Sequence, residues 1–197
     1  YFVQFNKCDN TVLCPIMDAT FVFALSDSPM RGLYLITNDD PIELLLAKLE
    51  GAMATYEVAI LQYRRKNVAK ENQAYEIEYM KNMCNQYKVP FVINDDLETA
   101  VKYGVGVHLG QDDGSIVDAK ARLPKNVLIG RSCNNSIELA EQAIADGASY
   151  VAFGAIYATD TKPEAGNIGL DTLKKAKEKL NVPICAIGGL TVENGAE

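Results

Sequence analysis

Residues 89–96 read Val89-Pro-Phe-Val-Ile-Asn-Asp-Asp96, and residues 106–113 read Gly106-Val-His-Leu-Gly-Gln-Asp-Asp113. Each is a short apolar run that ends in amides and carboxylates. Bounded apolar runs of this kind read as strands buried on both faces. A short helical segment over 96–103 separates them, so the two strands are predicted to be parallel neighbours, ~5 Å apart. Parallel neighbours end at the same edge. Asp95 and Asp113 are then expected to project into one cleft, where their oxygens can share a hard divalent cation.

The same pattern extends both ways along the chain. Leu33-Tyr-Leu-Ile36 and Val58-Ala-Ile-Leu61 are predicted strands on the N-terminal side. Val127-Leu-Ile129, Ala148 to Phe153 and Val182 to Ile187 follow on the C-terminal side. Helical segments fall between them. The first is predicted to be capped by Asp40, with Pro41 at its first position and a stripe of Ile42, Leu45, Leu46, Leu49 and Met53. The second spans about 68–86, with Ala74, Ile77, Met80 and Cys84 along one side. Another covers about 115–122, Asn135 is expected to cap the next, and the last runs through Leu170, Leu173 and Leu180. Seven strands alternating with helices imply parallel pairing through helical crossovers. The expected fold is a TIM (β/α)8 barrel that lacks its C-terminal eighth strand-helix unit. Residues 32–197 form that barrel domain. Residues 1–31 read as an N-terminal extension or the tail of a fused upstream domain, and both ends look cut from something longer. Thr20 to Leu25 is a strand candidate for the empty barrel position.

Composition narrows the function. Apolar content of 48% and charged content of 23% suit one globular domain. A net charge of -7 argues against a broad nucleic-acid surface. No apolar run approaches a membrane span, and residues 11–25 lack the basic flank of a signal peptide. The five cysteines are scattered, odd in number and without a Cys-x-x-Cys, which fits a reducing cytoplasm. Oligomeric state is left open, a homo-oligomer included.

In a barrel the reactive groups lie at the carboxyl ends of the strands. Read in order, those ends carry Gln62-Tyr-Arg-Arg-Lys66, Asn94-Asp95, Gly110-Gln-Asp-Asp113, Arg131-Ser132, the loop from Tyr157 to Pro163, and Gly188-Gly189. Such a set suits an anionic, metal-bridged ligand such as a diphosphate. In an extended segment Gln62, Arg64 and Lys66 alternate onto one side. Thr159 and Thr161 alternate ahead of Lys162 and suit phosphate oxygens. Gly188-Gly189 before a helix start at Thr191 resembles an anion cradle of backbone N–H groups. Each feature has a plainer reading: a solvated charged face, a polar loop, a tight turn, and, for Asp95, a helix cap with Glu98 three residues on. His108, the single histidine, is expected to line the barrel rather than act as a base. With no other histidine to complete a Ser-His or Cys-His dyad, hydrolase triads are disfavoured.

From about Arg31 onward the chain resembles the thiamine-phosphate synthase family, including its thiazole tautomerase branch. The resemblance rests on Gly32-Leu-Tyr-Leu-Ile-Thr37, Gln62 to Lys66, Ile93-Asn-Asp95 with Gly106 to Asp113, Gly130-Arg-Ser132, Gly154 to Lys162, and Ala186-Ile-Gly-Gly189. It implies a magnesium-dependent TIM-barrel transferase. Such an enzyme joins a hydroxymethylpyrimidine diphosphate to a thiazole phosphate and releases diphosphate. It also implies Asp95 and Asp113 as Mg²⁺ ligands. Gln62, Arg64, Lys66, Asn94 and Lys162 become the diphosphate and pyrimidine pocket, with Arg64, Ser132 and Lys162 nearest the chemistry. Thr159, Thr161 and Gly188 fall on the thiazole phosphate side. Arg65 stands where the family usually carries an acidic residue, and Asn134 where a histidine is common. Two alternatives remain at this point: an isomerase of the tautomerase type, and a non-catalytic binder of phosphorylated ligands.

Overall fold

The computed structural model describes residues 2–7, 10–15, 19–23, 30–157, 169–190 and 194. Two short strands, β1 (Phe2–Lys7) and β2 (Asn10–Pro15), pair with each other in antiparallel register. The remaining strands are β3 (Ala19–Phe23), β4 (Gly32–Ile36), β5 (Val58–Tyr63), β6 (Phe91–Asn94), β7 (Gly106–Leu109), β8 (Ile129–Ser132), β9 (Tyr150–Gly154) and β10 (Ile184–Ile187). They close a barrel in the order β10-β3-β4-β5-β6-β7-β8-β9. From β4 to β10 every neighbouring pair is parallel.

These are the seven parallel strands expected from the alternation, without a C-terminal eighth unit among the described residues. The eighth barrel position is held by β3, which runs antiparallel to both β4 and β10. Val22 stands opposite Gly32 on one side and Cys185 on the other. Thr20 to Phe23 of the segment expected there from sequence therefore occupy it, with Ala19 added at the start, while Ala24 and Leu25 lie outside the described residues.

The helices are α1 (Ile42–Thr55), α2 (Lys70–Tyr87), α3 (Leu97–Tyr103), α4 (Ile116–Arg122), α5 (Ile137–Asp146) and α6 (Gly169–Lys179). None is long and apolar enough to cross a membrane. Three predicted caps move by a residue or fail. Asp40 does not cap α1: its carboxylate takes the Lys48 ammonium at 2.8 Å, and Pro41 at the N-cap makes no side-chain bond. Ser136 rather than Asn135 caps α5, accepting from the Leu139 N–H at 3.1 Å. Asp96 rather than Asp95 caps α3, accepting from the Thr99 N–H at 2.9 Å. The last shift matters most, because it leaves Asp95 for the strand-end edge.

Strand alternation divides the core in two. Leu33, Leu35, Leu61, Ile93, Val107, Leu109, Val151 and Phe153 pack outward against the helices. Tyr34, Ile60, Val92, Tyr150, Ala152 and Cys185 fill the barrel interior. The predicted stripe of α1 is largely obeyed, with Leu45, Leu49 and Met53 buried. On α2, Ile77, Met80 and Cys84 are buried as expected, and so is Glu76, which the apolar pattern does not mark. Cys84, Cys133 and Cys185 are buried free thiols, and burial pushes those of Cys84 and Cys133 up to about 12.

A chain that begins at Met30 leaves β4 and β10 without the strand between them. Its thermal midpoint is expected to fall by more than ~5 °C, since each lost kcal/mol shifts a domain of this size by a few degrees. An unchanged midpoint by scanning calorimetry would show that β3 does not close the barrel.

Candidate active site

Register places the inward residues side by side. Ile36 stands opposite Gln62, Gln62 opposite Val92, Asn94 opposite His108, His108 opposite Gly130, and Gly130 opposite Tyr150. All belong to one face, because side chains alternate across a strand. The polar ones therefore gather in the upper part of the barrel.

Asp95 and Asp113 converge. Asp95 has a φ of +62°, a left-handed conformation that aspartate tolerates better than most residues. Its N–H continues the ladder to the His108 carbonyl at 2.8 Å, and the Asn94 amide donates to its Oδ2 at 2.6 Å. The Gly110 N–H donates to Asp113 Oδ2 at 3.0 Å. A Cβ at Gly110 would lie 2.3 Å from Asp113 Oδ2 and 3.9 Å from Asp95 Oδ1. Two carboxylates thus flank one glycine. Burial and then the neighbouring Asp113 charge push the Asp95 carboxyl above its ordinary value. Such a pair is relieved by a cation. Arg131 holds the turn that carries Asp113, donating to the carbonyls of Gly110 at 2.6 Å and Gly114 at 2.9 Å.

Basic groups stand beside Asp95. Arg64, Lys66, Lys70, Asn94 and Asp95 share a cleft of ≈ 230 Å³. Arg64 and Lys66 are exposed and, among the described residues, have no ion-pair partner. Thr37 fixes the backbone beneath them, its Oγ1 accepting from the Arg64 N–H at 2.7 Å. Gln62 is 2% exposed, yet its Nε2 has no acceptor among the described residues. A buried donor of this kind is costly unless something accepts from it.

A polar line crosses the barrel interior. Tyr34 and Tyr150 hydroxyls are 2.8 Å apart, the Tyr150 hydroxyl is 2.9 Å from His108 Nδ1, and His108 Nε2 is 2.9 Å from Ser132 Oγ. The contact between His108 and Ser132 was not foreseen from sequence. Gly130 is the residue facing His108 and Ser132 lies two residues further along β8, so His108 reaches Ser132 one step up the same face. The pair is not a hydrolase dyad, because Tyr150 and not a carboxylate holds the far nitrogen. Burial, then the Arg131 charge, pushes His108 down to about 4, so the ring is neutral near pH 7. His108 lines the barrel, as expected. Gln111 donates through its Nε2 to the Ser132 carbonyl.

Gly188 follows β10 with a φ of +90°, and Gly189 comes next at +67°. The Gly188 carbonyl accepts from the Tyr157 N–H at 3.1 Å, and a Cβ there would sit 2.6 Å from Ala155 Cβ. The close turn expected at this edge is present, while the helix start at Thr191 lies outside the described residues. So do Thr159, Thr161 and Lys162. Sequence reasoning named Arg131 at a strand end and Thr37 in a matching stretch without giving either its structural role, and it missed the Tyr34–Tyr150 link. Their inward register in β4 and β9 was the one available signal for the tyrosines.

These features define a parallel β/α barrel whose strand-end edge carries paired carboxylates beside basic side chains. Residues 33–197 match the family model described as thiamine monophosphate synthase, and the chain belongs to that family. The chain is also similar to the solved structure of the thiamine phosphate pyrophosphorylase from Pyrococcus furiosus. Identity is 30%, TM-score 0.67, and the match covers 82% of this chain and 76% of that one.

Two outcomes test the interior line. At Gly130 a Cβ would lie 2.1 Å from Tyr150 Cζ and 2.6 Å from His108 Nδ1. Gly130→Ala is therefore expected to cost about 2 kcal/mol or more through overpacking, read as a lower urea midpoint. The second concerns pH. An unfolded chain protonates its histidine near 6.5, whereas the folded chain does so near 4. Stability is untouched above pH 6.5 and falls as pH drops through that window, by up to about 3 kcal/mol. His108→Gln should flatten this part of the urea-midpoint profile.

Proposed function

We propose that the chain is a thiamine-phosphate synthase, a transferase that joins 4-amino-5-hydroxymethyl-2-methylpyrimidine diphosphate to thiazole phosphate. The observation that carries this reading is the meeting of Asp95 and Asp113 at Gly110, beside the cleft of Arg64 and Lys66. The carbon–oxygen bond to diphosphate breaks, and its electron pair leaves with the diphosphate. The pyrimidine methylene is left as a delocalised cation. The thiazole nitrogen then donates its lone pair to that carbon, forming the new carbon–nitrogen bond. The nucleophile is a substrate atom, which accounts for a site without an activated side chain.

This chain's residues act mainly by charge and orientation. Arg64 and Lys66 stabilise the charge that grows on the departing diphosphate, with Lys162 assigned to the same task. Gln62 donates from its buried Nε2 to the substrate, and Asn94 keeps Asp95 oriented. Ser132, held by His108, touches the reacting pyrimidine diphosphate. Thr159, Thr161 and Gly188 receive the thiazole phosphate. Holding both substrates face to face supplies much of the remaining acceleration.

The donor set fits magnesium. Among the described residues no three acidic, histidine or cysteine side chains form a metal cluster. Mg²⁺ characteristically takes one or two carboxylates and completes its shell with water and substrate phosphates. Asp95 and Asp113 would hold it, and it would neutralise diphosphate charge. The protein is assigned to the cytoplasm, where its buried thiols stay reduced. Residues 1–31 are assigned as an extension that lends one strand to the barrel domain of 32–197.

The test is release of diphosphate from the pyrimidine substrate, with thiazole phosphate present, as Mg²⁺ is varied. Magnesium-dependent release is expected, and Asp95→Asn should lower kcat/KM by about 100-fold or more. Isomerisation of the thiazole without diphosphate release would instead identify a tautomerase. Tight binding without turnover would identify a non-catalytic binder.

A further inference from the structure

We propose that Arg65, through its buried pair with Glu76, is a positioning residue that aims Arg64 and Lys66 at the diphosphate. The inference deepens the synthase reading and rests on it for the identity of the ligand.

Arg65 is 7% exposed and Glu76 4%. The pairing is two-pronged: Arg65 Nε donates to Glu76 Oε2 at 3.0 Å, and NH2 donates to Oε1 at 2.9 Å. NH1 donates to the carbonyls of Asn38 at 2.7 Å and Asp40 at 2.6 Å. The Tyr63 hydroxyl adds a third bond to Glu76, reaching Oε2 at 2.7 Å. One guanidinium thereby ties the loop after β4, the loop after β5 and helix α2 together. Neighbouring contacts reinforce the joint. Asn67 Nδ2 donates to Asp39 Oδ2 at 2.6 Å, and Gln73 Nε2 donates to the Val68 carbonyl at 2.9 Å.

Burial then separates the three cations. Tyr63 and Arg65 are buried and bond to Glu76, whereas Arg64 and Lys66 are exposed on the cleft that Asn94 and Asp95 also line. Three consecutive cations would repel one another and compete for one anion. Glu76 neutralises the middle one and removes it from that competition. Stability alone is a weak reason for such a pair, because buried ion pairs often break even against apolar replacements of similar volume. A planar fork bound to fixed carbonyls does, however, restrict geometry, which is what two phosphate-binding side chains on a loop require.

Two variants of the full chain test this. Arg65→Lys keeps the charge and loses the fork; Glu76→Gln keeps the shape and loses the charge. Each is expected to raise KM for the pyrimidine diphosphate about tenfold, with KM for the thiazole phosphate changed less than about twofold. Calorimetric titration with inorganic diphosphate and Mg²⁺ should show the same loss of affinity without requiring turnover. If the wild type binds diphosphate but makes no thiamine phosphate, the synthase reading fails and calorimetry alone judges the positioning role. Folded variants that bind diphosphate like the wild type would overturn the proposal. So would an equal loss for both substrates, or a failure of both variants to fold, since each marks a merely structural pair.

Discussion

Asn94 stands opposite His108, and His108 opposite Gly130, across three parallel strands. This register brings the carboxyl ends of β6, β7 and β8 to one level. It depends in turn on Gly130, whose missing side chain is the space that Tyr150 and His108 occupy. A side chain there would separate the two rings and break the line from Tyr34 to Ser132. The polar line itself is kept neutral: burial raises both phenols and lowers the imidazole, so none of the three ionises near pH 7. The barrel can therefore bury polar groups beneath the site without burying charge.

Charge is concentrated at the edge instead, and each concentration is handled differently. Arg65 and Glu76 neutralise one another within a bidentate contact. Asp95 and Asp113 do not, and their mutual repulsion remains in the folded protein. Arg64 and Lys66 stay exposed beside them. Like charges thus lie together at one edge, beside two cations that have no ion-pair partner among the described residues.

The architecture was largely legible because the signals for parallel strands are local. Leu33 to Ile36 and Val58 to Leu61 are continuous apolar runs, Gly106 to Leu109 is broken only by His108, and all three are strands of the barrel. Caps were less legible. Asn135 and Ser136, or Asp95 and Asp96, are adjacent residues with equivalent acceptors, and backbone angles choose between them. The choice at Asp95 and Asp96 carries the most consequence, since the capping residue is lost to the site. Tyr34 and Tyr150, 116 residues apart, share a hydrogen bond that no pattern within either strand announces.

By its own spacing of apolar runs and turn residues, the sequence determined seven parallel strands, their order, and which polar residues end them. Strand period and crossover length are local properties, so they could be read along one chain. Only the tertiary structure decided that Asp95 and Asp113 meet at Gly110, that Ser132 touches His108, that Arg65 turns inward to Glu76, and that β3 enters the barrel in the opposite direction. Those outcomes depend on register between strands and on the space left by particular side chains, and neither quantity exists until the barrel has closed.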